Sequence, residues 1–403
     1  MKITAIETIQ LRDRPNLLLA QIHTDEGLTG LGESSRGPAT VEAQLHEIVA
    51  PYLLGKNPLD IQLHNQKLMN SYLGFSSSSA EVRAASVVDI ALWDIAGQAM
   101  KQPIARMLGG YSRDRIKFYN TCAGYNYNTR TVARRAIAAG DPPPPADGPY
   151  DDQIAFVHRA DELAHSLLAE GITAMKIWPF DPLAERTDGS LISREDLDAG
   201  LEPFRKIRRA LGDKMEIMAE FHSLWNLQQA KQIARALEEY RPYWSEDPIK
   251  MCDVATLAEY ARSTRIPVCG SETLGGTAPF RDVLQAQAAD IVMLDVGWCG
   301  GLTEARKIAA LAEAYQRPVA PHDCNGPVVW VASIQFMLHI PNALVMEAVR
   351  AYYSTWYKDI LTDLPRAEHG YLYPLSGPGL GTRLLPDLVG REGVSVRRSA
   401  LTS

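Results

Sequence analysis

Three glutamates recur at a constant interval in the middle of the chain. Glu220, Glu246 and Glu272 each follow a short apolar segment, and the interval from the first to the second equals that from the second to the third. The interval matches about one strand plus one helix of a (β/α)₈ barrel. Successive barrel strands are neighbours, so three carboxylates at matching depth would converge on one point. Their mutual repulsion at that point predicts a bound cation.

Two histidines are predicted to share the cavity of these carboxylates. His222 follows Glu220 by two positions, and side chains two apart on a strand point the same way. One apolar segment ends at Asp295, in LDVGW. The next apolar segment ends at His322, in VAPHD. Adjacent strands place Asp295 against His322, where a carboxylate fixes the tautomer of the imidazole and raises its basicity.

The ligand types indicate the metal and its chemistry. Three carboxylates form an all-oxygen set that suits Mg²⁺, whereas Zn²⁺ prefers nitrogen and sulfur. Mg²⁺ that chelates a substrate carboxylate and its α-hydroxyl would stabilise the enediolate formed when the α-proton leaves. One imidazole is then able to take the α-proton, and a second to protonate a β-hydroxyl so that it leaves as water.

The elements that must position these residues alternate between short apolar strands and helices. Eight such strands follow one another between residues 116 and 375, and they read RIKFYNTCA, AMKIW, EIMAEFH, YWSEDP, PVCGSET, IVMLDV, RPVAPHD and NALVMEAV. This number favours a closed parallel (β/α)₈ barrel over an open doubly wound sheet. The fold class is therefore α/β, with the candidate carboxylates at strand ends.

A second domain precedes the barrel. Residues 1–115 begin with the strands MKITAIETIQL, NLLLAQIHT and LTGLGES and continue with helical patterns, of which AEVRAASVVDIALWDIAGQAM is the longest. A three-stranded meander followed by helices predicts an α+β cap. The tail, residues 376–403, is expected to return from the barrel and pack on this cap.

Composition narrows the choice of partner. The chain has 403 residues, is 46% hydrophobic and carries a net charge of −7 without a basic patch, which argues against nucleic acid or anionic lipid. A small molecule is the expected partner. No apolar run reaches the length of a membrane span, and MKITAIETIQL lacks the features of a signal peptide, so a cytoplasmic protein is expected. The five cysteines show no CxxC pairing and are interpreted as reduced packing residues.

One insertion interrupts the barrel pattern. Residues 138–152, with the sequence AAGDPPPPADGPYDD, lie between the first barrel strand and its helix. Four consecutive prolines exclude helix and central strand and favour an extended segment. The segment is either a lid or partner-contacting loop over the barrel mouth or a tolerated surface insertion.

The chain resembles the mandelate racemase branch of the enolase superfamily, and within it the acid sugar dehydratases. The resemblance covers nearly the whole length. It rests on TDEGLTGLGES in the cap, the helix SVVDIALWDIAGQAMKQPIARMLGG, the three glutamates, the Gly-Gly pair after Asp295, the His322 strand, Glu347 and the closing PGLG. It implies an enolase-like cap on a modified barrel, a Mg²⁺ cofactor and a sugar acid as substrate.

Three departures from family patterns narrow the reaction. Racemases and epimerases of this branch carry a KxK motif whose second lysine is a base, and Trp178 occupies that position here. Muconate-type cycloisomerases place a lysine after the third metal strand, where this chain has Asp295 and then His322. The Glu-x-His at 220–222 resembles the Asp-x-His of galactonate and mannonate dehydratases, with Glu in place of Asp. Dehydration is therefore favoured over inversion or lactonisation.

The resemblance implies a role for each candidate residue. The three glutamates hold Mg²⁺, His322 with Asp295 is the proton-abstracting base, and His222 is the acid that expels hydroxide, although the two histidines can exchange roles in related dehydratases. Lys176 steadies the substrate carboxylate or the enediolate, with a structural ion pair as the alternative. Glu347 hydrogen-bonds the substrate carboxylate region.

Substrate specificity is expected to reside in the cap and in the loops after the first and last barrel strands. Aromatic and polar side chains interleaved at a barrel mouth suit a polyol chain, and scattered surface aromatics are the alternative for each. Trp178 is either an apolar wall of the pocket or a barrel packing residue. The other candidates are Arg36, Tyr72 and Phe75 from the cap, Tyr125 and Tyr127 after the first strand, and Tyr353 and Trp356 after the last.

Together these features predict a Mg²⁺-dependent dehydratase that converts an aldonic or aldaric sugar acid to its 2-keto-3-deoxy product. A cycloisomerase or epimerase on the same scaffold is the second enzyme hypothesis. A metabolite-binding regulator that kept the fold without useful turnover is a third. A barrel glycosidase would also display paired carboxylates, but it would need neither the two histidines nor a metal. Members of this branch commonly assemble as symmetric homo-oligomers, so the same is expected here.

Overall fold

The computed structural model describes residues 1–70, 78–127, 148 and 150–401. Thirteen strands lie in these ranges. In chain order they are β1 (Ile3–Leu11), β2 (Arg14–Thr24), β3 (Thr29–Ser35), β4 (Ile116–Thr121), β5 (Ala174–Ile177), β6 (Glu216–Glu220), β7 (Trp244–Glu246), β8 (Val268–Gly270), β9 (Ile291–Val292), β10 (Met346–Ala348), β11 (Arg366–Glu368), β12 (Tyr371–Tyr373) and β13 (Val394–Ala400).

The described ranges also contain fifteen α-helices. They are α1 (Pro38–Gln44), α2 (Ala50–Leu53), α3 (Ile61–Met69), α4 (Ala80–Met100), α5 (Ile104–Leu108), α6 (Asp152–His158), α7 (Ala160–Ala169), α8 (Asp181–Glu185), α9 (Arg194–Leu211), α10 (Leu227–Leu237), α11 (Val254–Ala261), α12 (Thr277–Gln285), α13 (Gly301–Ala314), α14 (Pro327–His339) and α15 (Arg350–Tyr353). A π-helical turn, Leu45–Val49, joins α1 to α2.

An antiparallel sheet in the order β13-β1-β2-β3 forms the cap. The tail completes this sheet, because β13 pairs with β1 from Ala5 opposite Ala400 to Leu11 opposite Val394. The long helix α4 packs closely against β3. A Cβ atom at Gly30 would come within 2.0 Å of a backbone oxygen of α4, so only glycine allows this approach.

Parallel strands β4 to β9 form the barrel wall in sequence order. Single bridges then join Val292 to Val319 and Val319 to Ala343, and β10 pairs in parallel with β4. The predicted strand RPVAPHD is thus reduced to one bridging residue. The predicted fold class is confirmed: an α/β barrel with an α+β cap completed by the C-terminal tail.

A short hairpin of β11 and β12 adds to the barrel beside β4. Tyr371 pairs antiparallel with Lys117, and Leu372 pairs with Ile116. These strands follow the last barrel strand in the chain and were not predicted. They pair with the first residues of β4. The hairpin therefore lies at the amino end of that strand, away from the carboxyl ends of the barrel strands.

Buried carboxylates of the cap bind backbone groups of the barrel and the tail. Glu33 at the end of β3 accepts hydrogen bonds from the amides of Gly326 and Val328, both at 2.8 Å, where α14 begins. Asp94 on α4 accepts a hydrogen bond from the amide of Leu380 at 2.8 Å. Burial raises the pKa of Glu33 to about 8. These contacts hold the cap over the strand ends that carry the candidate site.

Some sequence features fall outside or differ from the description. Tyr72, Phe75, residues 138–147 and residue 149 lie outside the described residues, so the predicted lid stays a prediction. The five cysteines are free thiols, and Cys252 is exposed, so packing does not account for it. None of the described helices combines the length and the apolar character that crossing a membrane requires.

Candidate active site

The three predicted carboxylates meet at the carboxyl ends of neighbouring strands. Glu220 ends β6, Glu246 ends β7, and the two residues pair directly in the sheet. Glu272 lies two residues beyond the end of β8. One carboxylate oxygen of each glutamate lies within 4.8 Å of the others. Parallel strands in register bring their last residues to one edge, which explains this convergence.

Lys176 on β5 lies among these carboxylates. Its Nζ is 3.3 Å from Oε2 of Glu220 and 3.0 Å from Oε1 of Glu347, and it forms a closer ion pair with Glu246. Burial opposes the charge of Lys176, but Glu246, Glu347 and other neighbours raise its pKa well above the ordinary value. Lys176 is therefore a fixed positive charge and not a proton acceptor at neutral pH.

The protein alone leaves the carboxylate cluster only partly neutralised. Burial is the main cause that raises the pKa of Glu220, to about 7, and that raises the pKa of Glu246 well above its ordinary value. Repulsion between Glu220 and Glu246 adds to the rise at Glu246. A divalent cation among these oxygens would favour their ionised forms, and hard oxygen donors are the set that Mg²⁺ prefers. The residues present therefore fit the predicted metal.

A carboxylate-paired imidazole flanks the cluster at the sixth and seventh barrel segments. His322 Nδ1 lies 2.6 Å from Oδ2 of Asp295, and Nε2 lies 3.2 Å from Oε2 of Glu272. Burial would lower the pKa of His322, but Glu272, Glu347 and Asp295 raise it to about 9. Since a carboxylate oxygen accepts the proton that Nδ1 carries, Nε2, which faces Glu272, is the atom that can exchange a proton.

A second carboxylate-paired imidazole follows β6. His222 Nδ1 lies 2.7 Å from Oδ2 of Asp181, which is 6% exposed at the start of α8. The backbone of His222 is left-handed, with φ of 47°, and its amide donates to Oε1 of Glu220 at 2.6 Å. A turn after the strand, and not strand alternation, thus aims this ring. Both imidazoles and Lys176 lower the pKa of Glu272 against the effect of burial, which places that carboxylate near all three charges.

Glu347 on β10 is the last, in chain order, of the buried acids that surround Lys176. Lys176 and the Thr121 hydroxyl bind Oε1, and the amide of Asp323 donates to Oε2 at 2.6 Å. Burial would raise the pKa of Glu347, but Lys176 and His322 lower it to about 2. Glu347 is thus an ionised group that orients Lys176 beside the cluster.

Trp178 packs beside the second imidazole. Its ring centroid lies 5.7 Å from that of His222, 5.4 Å from that of Tyr127 and 5.1 Å from that of Phe156. The guanidinium of Arg36 lies 5.9 Å from the centroid of the Tyr127 ring. Trp178, Tyr127, Phe156 and Arg36 together form a wall of three aromatic rings and one cation next to His222. Phe156 is the member that was not predicted. The structure therefore brings Trp178, Tyr127 and Arg36 to the site.

The remaining substrate candidates have other surroundings. The Tyr125 hydroxyl accepts a hydrogen bond from the Tyr150 amide at 2.9 Å, at the return of the proline-rich segment. Tyr353 stacks on Trp330 at 5.7 Å, and Trp356 packs on Tyr352 and Tyr357 at 5.2 and 4.6 Å. Tyr353 and Trp356 thus belong to an aromatic packing cluster that includes Trp330 on α14, and their role in substrate binding stays a prediction.

Several site residues were missed by the sequence analysis. Asp181 pairs with His222, and Asn325 donates a hydrogen bond to Oδ2 of Asp295 at 2.7 Å. The Trp298 ring centroid lies 5.1 Å from that of His322, and the guanidinium of Arg83 lies over the Trp298 ring at 4.7 Å from its centroid. Asp181 begins a short helix, Asn325 and Trp298 lie on loops, and Arg83 lies on the cap helix α4. Only the proximity of Trp298 and Asn325 to catalytic motifs in sequence could have indicated them.

Comparison with known proteins agrees with this architecture. The family model described as Enolase C-terminal domain-like matches residues 159–388, and that described as Mandelate racemase / muconate lactonizing enzyme, N-terminal domain, matches residues 3–109. Fold and site together define a capped barrel protein of the enolase type. The chain belongs to the mandelate racemase/muconate lactonizing enzyme family, which confirms the family resemblance.

Curated relatives align over almost the whole chain. A D-galactonate dehydratase of Pectobacterium atrosepticum is 31% identical over 401 residues, covering 96% of this chain and 94% of the relative. A D-xylonate dehydratase of Haloferax volcanii is 29% identical over 391 residues, covering 96% of this chain and 88% of the relative.

Solved structures align equally well. An enolase of the mandelate racemase subgroup from Agrobacterium tumefaciens is 51% identical with a TM-score of 0.88, and the alignment covers 99% of both chains. That crystal structure contains a succinimide residue, Na and phosphate. An enolase protein from environmental sequencing of the Sargasso Sea is 46% identical with a TM-score of 0.87 over all of both chains.

Proposed function

We propose that this chain is a Mg²⁺-dependent dehydratase of an aldonic or aldaric sugar acid that forms the 2-keto-3-deoxy acid. The observation that carries the proposal is the pair of carboxylate-bound imidazoles, His322 with Asp295 and His222 with Asp181, beside one cluster of three glutamates. Dehydration of a carbon acid needs one group to take a proton and another to give one. The curated relatives that are named dehydratases support the same reaction class.

Glu220, Glu246 and Glu272 would hold the metal. When bound, Mg²⁺ supplies electrostatic stabilisation of the enediolate that forms as the α-proton leaves. Lys176 contributes a second positive charge next to Glu220 and Glu246, and Glu347 keeps that charge oriented. The developing negative charge on the substrate carboxylate is therefore met by fixed positive charge on this side of the cavity.

His322 takes the α-proton in this proposal. Asp295 accepts the Nδ1 proton and stabilises the imidazolium that results, and Nε2 becomes the basic atom once the charge of Glu272, which raises the pKa of His322, is shared with a metal. The Trp298 ring packs on the imidazole, so His322 cannot rotate freely away from that orientation. Lys176 does not compete for this role, because its raised pKa keeps it protonated.

His222 protonates the departing β-hydroxyl. Asp181 binds Nδ1, so Nε2 is the atom that presents a proton to the leaving group. Trp178, in the position of the second lysine of racemases, has no group that can take or give this proton. Its apolar ring excludes water beside His222, which directs the proton of His222 to the substrate.

A semicarbazide screen for 2-keto acid formation tests the proposal. A library of mono- and diacid sugars is incubated with the protein and Mg²⁺, with EDTA and with Lys250→Ala as a matched surface control. We expect one stereochemical group of acids to react, EDTA to abolish turnover and the surface variant to behave as the wild type. Lys250 is exposed and lies outside the site.

Two other outcomes would replace the proposal. Exchange of the α-proton in deuterated water without loss of water would indicate an epimerase or cycloisomerase. Mg²⁺ binding without turnover or exchange over the whole library would indicate a metabolite-binding regulator. Turnover that persists in EDTA would contradict the metal dependence.

A further inference from the structure

The peptide between Asn325 and Gly326 lies beside the first dyad and is set up for an internal reaction. It is the one Asn-Gly pair in the sequence. Glycine offers no side chain to hinder attack of its own nitrogen on the preceding side chain. Glycine is also required here for packing, because a Cβ atom at Gly326 would lie 2.6 Å from both Glu33 and Leu17.

Three neighbours of this peptide match the needs of cyclisation. Glu33 Oε1 accepts the hydrogen bond of the Gly326 amide at 2.8 Å, so a carboxyl oxygen able to take the proton contacts the nucleophilic nitrogen. The Ser35 hydroxyl donates to Oδ1 of Asn325, where negative charge develops during attack. Asn325 Nδ2, the leaving nitrogen, donates to Oδ2 of Asp295 at 2.7 Å.

We infer that Asn325 and Gly326 cyclise to a succinimide in the folded protein and that this imide persists. The Gly326 nitrogen forms a bond to Cγ of Asn325, the Cγ–Nδ2 bond breaks, and Nδ2 leaves as ammonia. Glu33 takes the proton that the Gly326 nitrogen loses, and Nδ2 gains one proton as it leaves, so the protons balance. The reaction therefore balances without an oxidant, a reductant or a second substrate.

Burial accounts for the persistence. Asn325 is 1% exposed, and Gly326 is buried beneath the cap strand β3. Water opens an imide to aspartate or isoaspartate, and this site admits little water. A succinimide residue is present in the crystal structure of the Agrobacterium relative, which is 51% identical to this chain. Such imides are thus compatible with this fold.

The modification would act on the proposed base. Oδ2 of Asp295 accepts hydrogen bonds from both Asn325 Nδ2 and His322 Nδ1. Loss of ammonia removes the first donor and leaves His322 as the remaining side-chain donor to that oxygen among the described residues. The modification would therefore change the hydrogen bonding of the carboxylate that orients the proposed base.

Peptide mapping of the purified full-length protein tests the inference. The protein is denatured and digested at mildly acidic pH, which preserves imides, and analysed by mass spectrometry. We expect the peptide that contains residues 325 and 326 to be lighter by one ammonia in a large fraction of molecules, increasing on warm incubation. Hydroxylamine, which cleaves at imides, should give the fragments 1–325 and 326–403.

Variants separate the folded site from the dipeptide alone. Glu33→Gln and Ser35→Ala should each form the imide several-fold more slowly. Asp188→Asn creates a second Asn-Gly pair at an exposed turn, and it should give hydrolysed products there without an accumulated imide. An unmodified peptide after prolonged incubation would overturn the inference, and so would aspartate or isoaspartate at 325 without imide. Neither outcome depends on the activity, so the proposed dehydratase function is tested separately.

Discussion

His222 Nδ1 lies 2.7 Å from Oδ2 of Asp181, a distance close to the 2.6 Å between His322 Nδ1 and Oδ2 of Asp295. The two imidazoles are thus held in the same way by different elements. Asp181 begins α8 after the second barrel strand, whereas Asp295 follows the sixth. Equal support on both sides suits a reaction with two proton transfers. It also makes Asp181 a positioning residue whose effect can be separated from that of the base.

Asp181→Asn should slow elimination and spare proton abstraction. The amide keeps the shape of the side chain but lacks the charge that stabilises protonated His222. Loss of a carboxylate that supports a metal-binding histidine costs about 10- to 100-fold in metal affinity or activity, and we take a loss of that order for this pair. We expect this loss in 2-keto acid formation, with little change in α-proton exchange measured by NMR in deuterated water.

Asp114→Asn is the matched control, since Asp114 is exposed before β4 and outside the site. It should leave both rates at the wild-type level. Equal losses of exchange and elimination in Asp181→Asn would mean that Asp181 supports the whole site and does not act through His222.

The two histidines should be separable by the same pair of measurements. His322→Asn removes the basic Nε2 beside Glu272, so α-proton exchange and elimination should both fall by about 100-fold or more. His222→Asn removes the leaving-group acid, so elimination should fall while exchange continues. The reverse pattern would exchange the roles of base and acid between the two residues.

The constant interval between Glu220, Glu246 and Glu272 was sufficient to predict that they meet, because barrel topology turns a repeat in sequence into neighbouring strand ends. The dyad of His322 with Asp295 followed from the same rule. Asp181 could not be predicted as the partner of His222. A left-handed turn at His222 aims the imidazole toward Asp181, and no strand pattern in the sequence encodes that turn. Strand ends are encoded locally, whereas loop side chains depend on distant packing.

The aromatic candidates show the other limit of prediction. Tyr353 and Trp356 follow the last barrel strand, a position that usually lines the mouth. They pack with Trp330 and Tyr357, because α14 is buried around nearly its whole circumference and needs covering. Burial of large aromatic surface outweighs the preference of that loop for the site. The sequence therefore predicts that these residues follow the last barrel strand, but it does not predict which side chains they contact.

Mg²⁺ should stabilise the protein against thermal unfolding. A ligand that binds only the folded state at a hundred times its Kd adds about 2.7 kcal/mol to the free energy of unfolding. Lys176→Met removes the positive charge that now pairs with Glu220, Glu246 and Glu347, so without metal it should lose about 3–5 kcal/mol. Its stabilisation by Mg²⁺ should exceed that of the wild type, as measured by differential scanning calorimetry.

Glu246→Gln is the opposing variant, because it removes a proposed ligand and keeps the side-chain volume. Its unfolding temperature should respond weakly to Mg²⁺. Equal responses to Mg²⁺ in Glu246→Gln and the wild type would place the metal elsewhere.

The attachment of the cap to the barrel should weaken as pH rises. Asp89 on α4 is 2% exposed and accepts a hydrogen bond from the Thr303 amide at 3.0 Å, where α13 begins. Burial raises its pKa from 3.8 to about 7. The folded state therefore holds a proton that the unfolded chain has released. Stability from this group is complete below the lower value and is lost as pH rises to the upper one, by about 1.4 kcal/mol per pH unit.

Asp89→Asn should flatten this dependence, because the amide keeps an acceptor for Thr303 and does not titrate. Urea unfolding at a series of pH values between the two pKa values should show the variant gaining on the wild type as pH rises. Asp114→Asn replaces an exposed aspartate before β4 and should leave the wild-type slope unchanged. Parallel slopes for Asp89→Asn and the wild type would show that Asp89 is ionised in the folded protein, and that the amides at the start of α13 stabilise its charge more than burial opposes it.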